Sequence, residues 1–338
     1  MSLLDKFRKN KKEKEQEANP EISVVEAEIM ELWREEFLPV IKGYCQKRGK
    51  KFGINDEKIE VLTKALDADF MVELFSAEEK FNAAKAGIIS RLKMSIDKND
   101  TDQSKKDNLS AIVESFEKVD FALFLKCLKI RMEGKDNFSK NYILNSLINN
   151  ILGEHHGCYR PSSHGDDLSF MVLEMNVIYN EDPKRTIAHE FTHFALREAV
   201  PEIKGIDSER AKRKVAKSLG LNEIIGDSRI DHDSLFRSLD ESLAHCAALY
   251  VADEKANPYY KGYFSDEKDI SLFKEIYESI AVLQNTLSRS EFDDFSIEVC
   301  RFFVANRHKG MSSDEIDKEK KDLIEFVNDY KSKINNDL

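Results

Sequence analysis

Glycine and proline are scarce in this chain, at 13 and 6 of 338 residues, and there is one tryptophan. So few turn formers argue against a sandwich or barrel of short strands, which needs frequent turns. Hydrophobic residues still make up 41%, with 21 Phe, so a core can be buried and disorder is disfavoured. Five cysteines, Cys45, Cys127, Cys158, Cys246 and Cys300, form an odd and scattered set without a CxxC pair. That excludes a disulfide framework and a cysteine-built zinc site, and it reads as reduced thiols. Cys127 and Cys300 sit in apolar runs and are expected in the core, where burial raises a thiol's pKa and disfavours a nucleophilic role.

Long apolar runs are missing too. No stretch approaches the roughly 18 residues of a membrane helix, and the opening MSLLDKFRKNKKEKEQEANP has no secretory apolar segment. The expectation is a soluble, cytoplasmic protein whose residues 1–19 form a flexible charged terminus. A weak amphipathic anchor through Leu3, Leu4 and Phe7 is less favoured than a solvated end. A basic stripe is absent as well: the net charge is -11, and Lys and Arg are spread among the acids, so no nucleic-acid partner is expected. No fixed-period repeat occurs, which excludes a solenoid. Oligomeric state leaves no signal in the sequence.

What is present is helical periodicity. From about 20 to 152, segments such as SVVEAEIMELWREEFLPVIKGYCQKRG and FNAAKAGIISRLKMSI repeat apolar residues every three or four positions, interrupted by a polar loop, MSIDKNDTDQSKKDNLS. Character changes at GEHHGCYRPSSHGDD, so a boundary falls near residue 153, dividing a helical domain over 20–152 from a second domain over 153–338. Residues 170–179, FMVLEMNVIY, read as a strand. Asp182 and Pro183 then supply an N-cap and a first helical position for a helix carrying HEFTH. Further helices follow in SLFRSLDESLAHCAALYVADE, where Leu239, Leu243, Ala247 and Tyr250 share one face, and in three segments after residue 266. The expected class is mainly α of the α+β kind, with a small sheet in the second domain.

HEFTH carries the chemistry. His189 and His193, four apart on a helix, point the same way with Cβ atoms about 5 to 6 Å apart, a separation from which both rings reach one zinc ion. Glu190 lies about a quarter turn away, flanking the metal position as a general base for a water. Flanking Ile187, Ala188, Phe191, Phe194 and Ala195 make the helix apolar on more than one side, so these polar groups need partners once buried. A third ligand is required, and Leu196, Arg197 and Ala199 stand where a nearby third histidine would. Glu209, Glu223, Asp227, Glu241 and His245 are the candidates.

HEFTH followed by LDESLAHCAALYV resembles the gluzincin metallopeptidases, over residues 183–254. The resemblance implies a zincin-like second domain, one Zn2+ per chain, Glu241 as third ligand and His245 as a residue that orients a ligand histidine. It also implies that MNVIY lines a cleft in which an extended peptide pairs. Two departures stand out: 47 residues separate His193 from Glu241, longer than in thermolysin-like members, and Ser242 replaces a glycine common among relatives. The implied activity is hydrolysis of peptide bonds in a peptide or protein substrate. His232, Tyr259, Tyr260 and Tyr263 are candidate oxyanion stabilisers. A competing reading is a catalytically silent zincin-like scaffold, which an intact Glu190 disfavours. His155, His156, Cys158 and His164 match no zinc spacing and read as surface or cleft-rim residues, RAKRKVAK over 210–217 reads as a solvated face, and His308 as ordinary.

Overall fold

Helix starts in this chain are set by short polar caps. Asn55 Oδ1 accepts from the Lys58 N–H at 2.9 Å, and Asp120 Oδ1 from the Leu123 N–H at 2.8 Å. Ser288 and Glu291 form a reciprocal capping box, with Glu291 Oε2 accepting from the Ser288 N–H at 2.8 Å. The computed structural model describes residues 20–98, 103–133, 158–160, 170–172, 183–207, 209, 228–257, 267–306 and 313–337.

Among these, helices run over α1 (Pro20–Leu32), α2 (Leu38–Gly49), α3 (Asp56–Lys98), α4 (Gln103–Lys118), α5 (Phe121–Met132), α6 (Pro183–Ala199), α7 (Ser228–Leu249), α8 (Glu267–Gln284), α9 (Arg289–Asn306) and α10 (Ser313–Asp337). A π-turn over Trp33–Phe37 joins α1 to α2, its Leu38 N–H donating to the Trp33 carbonyl five residues back. Pro39, lacking an N–H, withdraws the bond its position owes to Glu35 and so accounts for the widened turn. A 3-10 turn, Lys50–Phe52, closes α2 on Gly53, whose φ of 71° is the left-handed conformation glycine adopts freely.

Two compact units divide the chain. One comprises Met1–Val40, Asp67–His156 and Glu174–Asn180; the other comprises Ile41–Leu66, Gly157–Leu173 and Glu181–Leu338. The first unit buries α1 against α5. Trp33 stacks on Phe70 with ring centroids 4.2 Å apart, and Phe81 sits between Phe121 and Phe124. Leu74, Ala77, Phe81 and Ile88 continue the buried stripe of α3 at helical spacing.

In the second unit α7 is the central element, packing against α6, α8, α9 and α10. Its Leu239, Leu243 and Ala247 are fully buried, as their spacing predicts. They meet Phe273, Ile276, Tyr277 and Ile280 of α8 and Phe292, Phe295 and Val299 of α9 in one apolar core. The helix expected to begin at Pro183 begins there, and Ile187, Ala188, Phe191, Phe194 and Ala195 are all buried.

Two expectations need correction. The fold class is all-α, with 90% of the described residues helical, in place of α+β with a small sheet. Extended pairing among the described residues is limited to Cys158–Arg160 against antiparallel Phe170–Val172, three residues on each side. Two strands of three residues cannot make a layer of the fold. FMVLEMNVIY therefore contributes three paired residues, and 173–182, including MNVIY, lie outside the described residues. The polar loop expected over 94–110 is also largely helical: α3 runs to Lys98 and α4 begins at Gln103, because lysine, aspartate and serine at exposed positions tolerate a helix already nucleated on its apolar side.

Candidate metal centre

The centre lies where α7 crosses α6 within the second unit. His189 and His193 stand one turn apart on α6, and their Nε2 atoms approach to 3.1 Å. Glu241 of α7 brings Oε2 to 3.3 Å from His189 Nε2 and 3.9 Å from His193 Nε2. One ligand atom from each of the three residues lies within 4.8 Å of the other two. The apolar face of α7 fixes this meeting: Leu239 and Leu243 flank Glu241 and are both fully buried, so the helix cannot rotate without losing its core contacts.

Behind the cluster His193 Nδ1 faces Asp240 Oδ2 at 3.0 Å. Burial alone would lower the His193 pKa, but the Asp240 carboxylate, helped by Glu241 and Glu190, raises it to about 9. Burial pushes Glu241 upward, yet the hydrogen bond from His189 and the charge of His193 win and bring it down to about 2. Asp240 is likewise held well below the usual carboxylate range, the Arg197 and His193 charges overcoming its desolvation. His245 is lowered to about 3, first by burial and then by the positive charges of His189 and Arg185.

Glu190 is 7% exposed, one position past His189, and close enough for its charge to act on His193. Arg185, one turn before His189 on α6, pairs with Glu254 at 3.0 Å. A second buried group holds α6 from below. Arg48 of α2 donates from Nη1 to Thr192 Oγ1 at 2.7 Å and to the Ala188 carbonyl at 3.3 Å, and from Nη2 to Asp293 Oδ1 at 2.7 Å. Tyr44 packs edge-on against Phe191 and accepts from Arg48 at 3.1 Å.

The remaining expected residues fall as follows. His245 sits one turn beyond Glu241 and stacks edge-on with Tyr277, ring centroids 5.6 Å apart. His232 lies on the first turns of α7, nine positions before Glu241 and so ~13 Å away along the helix axis. Glu209 is exposed. Tyr259, Tyr260, Tyr263, Glu223, Asp227, His155, His156, His164, His308 and the basic stretch 210–217 lie outside the described residues, as does the side chain of Cys158. Asp240, Arg197 and Arg48 escaped sequence reasoning. Asp240 directly precedes a candidate ligand and Arg197 lies one turn after His193, signals that are legible only when the chemistry behind the ligands is sought.

No protein-family model, curated protein or solved structure matches the chain. No described helix is long and apolar enough to cross a membrane.

Proposed function

We propose that the chain is a zinc-dependent peptidase of the gluzincin kind, with His189, His193 and Glu241 holding one Zn2+ and Glu190 acting as general base. The observation that carries the reading is the spacing of the donors. Ligands about 2.0 to 2.1 Å from a tetrahedral zinc stand roughly 3.3 Å apart. The separations of 3.1, 3.3 and 3.9 Å fit that figure with sub-ångström adjustment. Two imidazoles and one carboxylate leave a fourth position open, as a catalytic zinc requires.

Zinc held by these three residues would supply Lewis acidity, acidifying a water and polarising a carbonyl. The Asp240 carboxylate, 3.0 Å from His193 Nδ1, favours the proton on that nitrogen through its charge, which leaves the Nε2 lone pair facing Glu241 and His189. Glu190 accepts the proton of the attacking water at its carboxylate and hands it to the leaving amine. The apolar faces of α6 and α7 exclude bulk water from behind the cluster, which strengthens each of these electrostatic contacts.

The test is elemental analysis of the purified chain beside peptide turnover. Wild type is expected to hold about one zinc per chain, and Glu241→Ala and His193→Ala to lose it. Glu190→Gln should keep the metal and lose about 10² to 10⁴ in kcat. A wild type that takes up no zinc would sink the metal reading. Metal retained with full activity in Glu190→Gln would sink the role of the base, and metal without turnover on any peptide would favour the silent scaffold.

A further inference from the structure

A buried chain of charges continues away from the cluster. Both oxygens of Asp240 accept from Arg197, from Nη1 at 2.6 Å and from Nη2 at 2.8 Å. On its other edge the same guanidinium donates to Asp207, from Nε at 2.9 Å and from Nη2 at 3.2 Å. Nη1 also donates to the His193 carbonyl at 3.1 Å, which ties the relay to the backbone of α6. The Arg197 and Asp207 side chains are each 3% exposed and Asp240 is 10% exposed, so all three sit in a low-dielectric setting.

Two carboxylates against one guanidinium leave one net negative charge behind the His193 ring. Were Arg197 paired to Asp240 alone, the pair would be neutral and the pull on the Nδ1 proton would weaken. Asp207 takes half of the guanidinium fork and so leaves Asp240 only partly compensated. Desolvating two acids and one base is costly, and apolar side chains of similar volume would fill the space without that cost.

We propose that Arg197 and Asp207 are positioning residues for divalent-cation binding: Arg197 fixes the plane of Asp240, and Asp207 preserves the negative charge with which Asp240 strengthens His193 Nε2 as a donor. The inference rests on the metal-centre reading above. It assigns a function to Asp207, which touches none of the three cluster residues in any contact described above and comes from the helical turn over 203–207.

The test is titration of the metal-stripped protein with cobalt(II) against a chromophoric chelator, recording the visible ligand-field bands. Asp240→Asn is expected to lose about 10- to 100-fold in affinity, and Asp207→Asn about 10-fold with displaced bands, while the far-ultraviolet circular dichroism of both stays that of wild type. Asp207→Asn with affinity within about twofold of wild type and unchanged bands would overturn the inference and make Asp207 a structural clamp only. Failure of wild type to take up cobalt or zinc would overturn the metal reading itself, and this inference with it. Should Asp207→Asn not fold, nitrogen-edited NMR of histidines in the zinc-loaded wild type still decides. A strongly hydrogen-bonded proton on His193 Nδ1 supports the relay, and coordination through Nδ1 overturns it.

Discussion

Replacing Arg48 by methionine should unfasten α6 from below, and its cost can be worked contact by contact. Arg48 and Asp293 are 5% and 4% exposed. Most partners of Arg48 survive its loss: Thr192 Oγ1 still donates to the Ala188 carbonyl at 2.6 Å, and the Tyr44 hydroxyl still accepts from Arg289 at 2.7 Å. Methionine also refills much of the volume of the arginine stem. The term that remains is Asp293, left as a buried carboxylate without a countercharge, and breaking such a pair costs about 3 to 5 kcal/mol. Asp293→Asn strands the guanidinium instead and should cost a similar amount. The double variant Arg48→Met/Asp293→Asn removes both charges, so it should be less destabilised than the two singles summed, by at least about 2 kcal/mol. Trp33 belongs to the first unit and is a poor reporter here. The assay is labelling of the buried thiols Cys45, Cys246 and Cys300 in urea, since all three lie in the second unit. An additive cycle, or an Arg48→Met variant within about 1 kcal/mol of wild type, would refute the claim that the pair is a buried mutual compensation.

Further outcomes follow from the titrating groups and the thiols. In the metal-stripped protein His193 is raised from 6.5 to about 9, so its contribution is fully present below pH 6.5 and is lost as pH rises through about 9. Glu241, lowered from 4.5 to about 2, contributes above 4.5 and loses that as pH falls toward 2; His245, lowered from 6.5 to about 3, costs stability from pH 6.5 downward until about 3. Stability should therefore peak near pH 6.5, and zinc should reverse the alkaline arm, because a ligated imidazole releases its proton; denaturant midpoints from pH 4 to 9 with and without chelator test this, and a stripped protein most stable at pH 9 would contradict the His193–Asp240 pairing. Cys45, Cys127, Cys246 and Cys300 are all buried, and burial pushes the Cys45 thiol up to about 12. A Cys158→Ser variant should show no fast thiol reacting with a water-soluble disulfide reagent until it unfolds, and one stoichiometric fast thiol under native conditions would show that this packing is wrong.

How much could be read from the chain depends on the range of the interaction concerned. The α6 boundary at Pro183, the buried flanks of HEFTH and the apolar face of α7 all follow from spacings of three and four residues. The expectation of a small sheet fails because FMVLEMNVIY is short, apolar and β-branched in part, a pattern that periodicity cannot assign when pairing partners are unknown. The expected loop over 94–110 is helical at 94–98 and 103–110 because polarity measures exposure, and an exposed face can carry a helix; 99–102 lie outside the described residues.

Within the centre the division is sharp. The juxtaposition of His189 and His193 is set by the pitch of one helix, so five letters suffice to determine it. Glu241 is separated from His193 by 47 residues, and only the packing of α7 on α6 brings its carboxylate to 3.3 Å from His189. Asp207, Asp240 and Arg48 lie 14, 47 and 145 positions from His193 and meet α6 only through tertiary packing, with no local pattern to announce them. Covalent geometry made the two histidines a pair in the sequence alone, whereas the surrounding carboxylates and guanidinium groups acquired their partners only when burial forced each charge to find another.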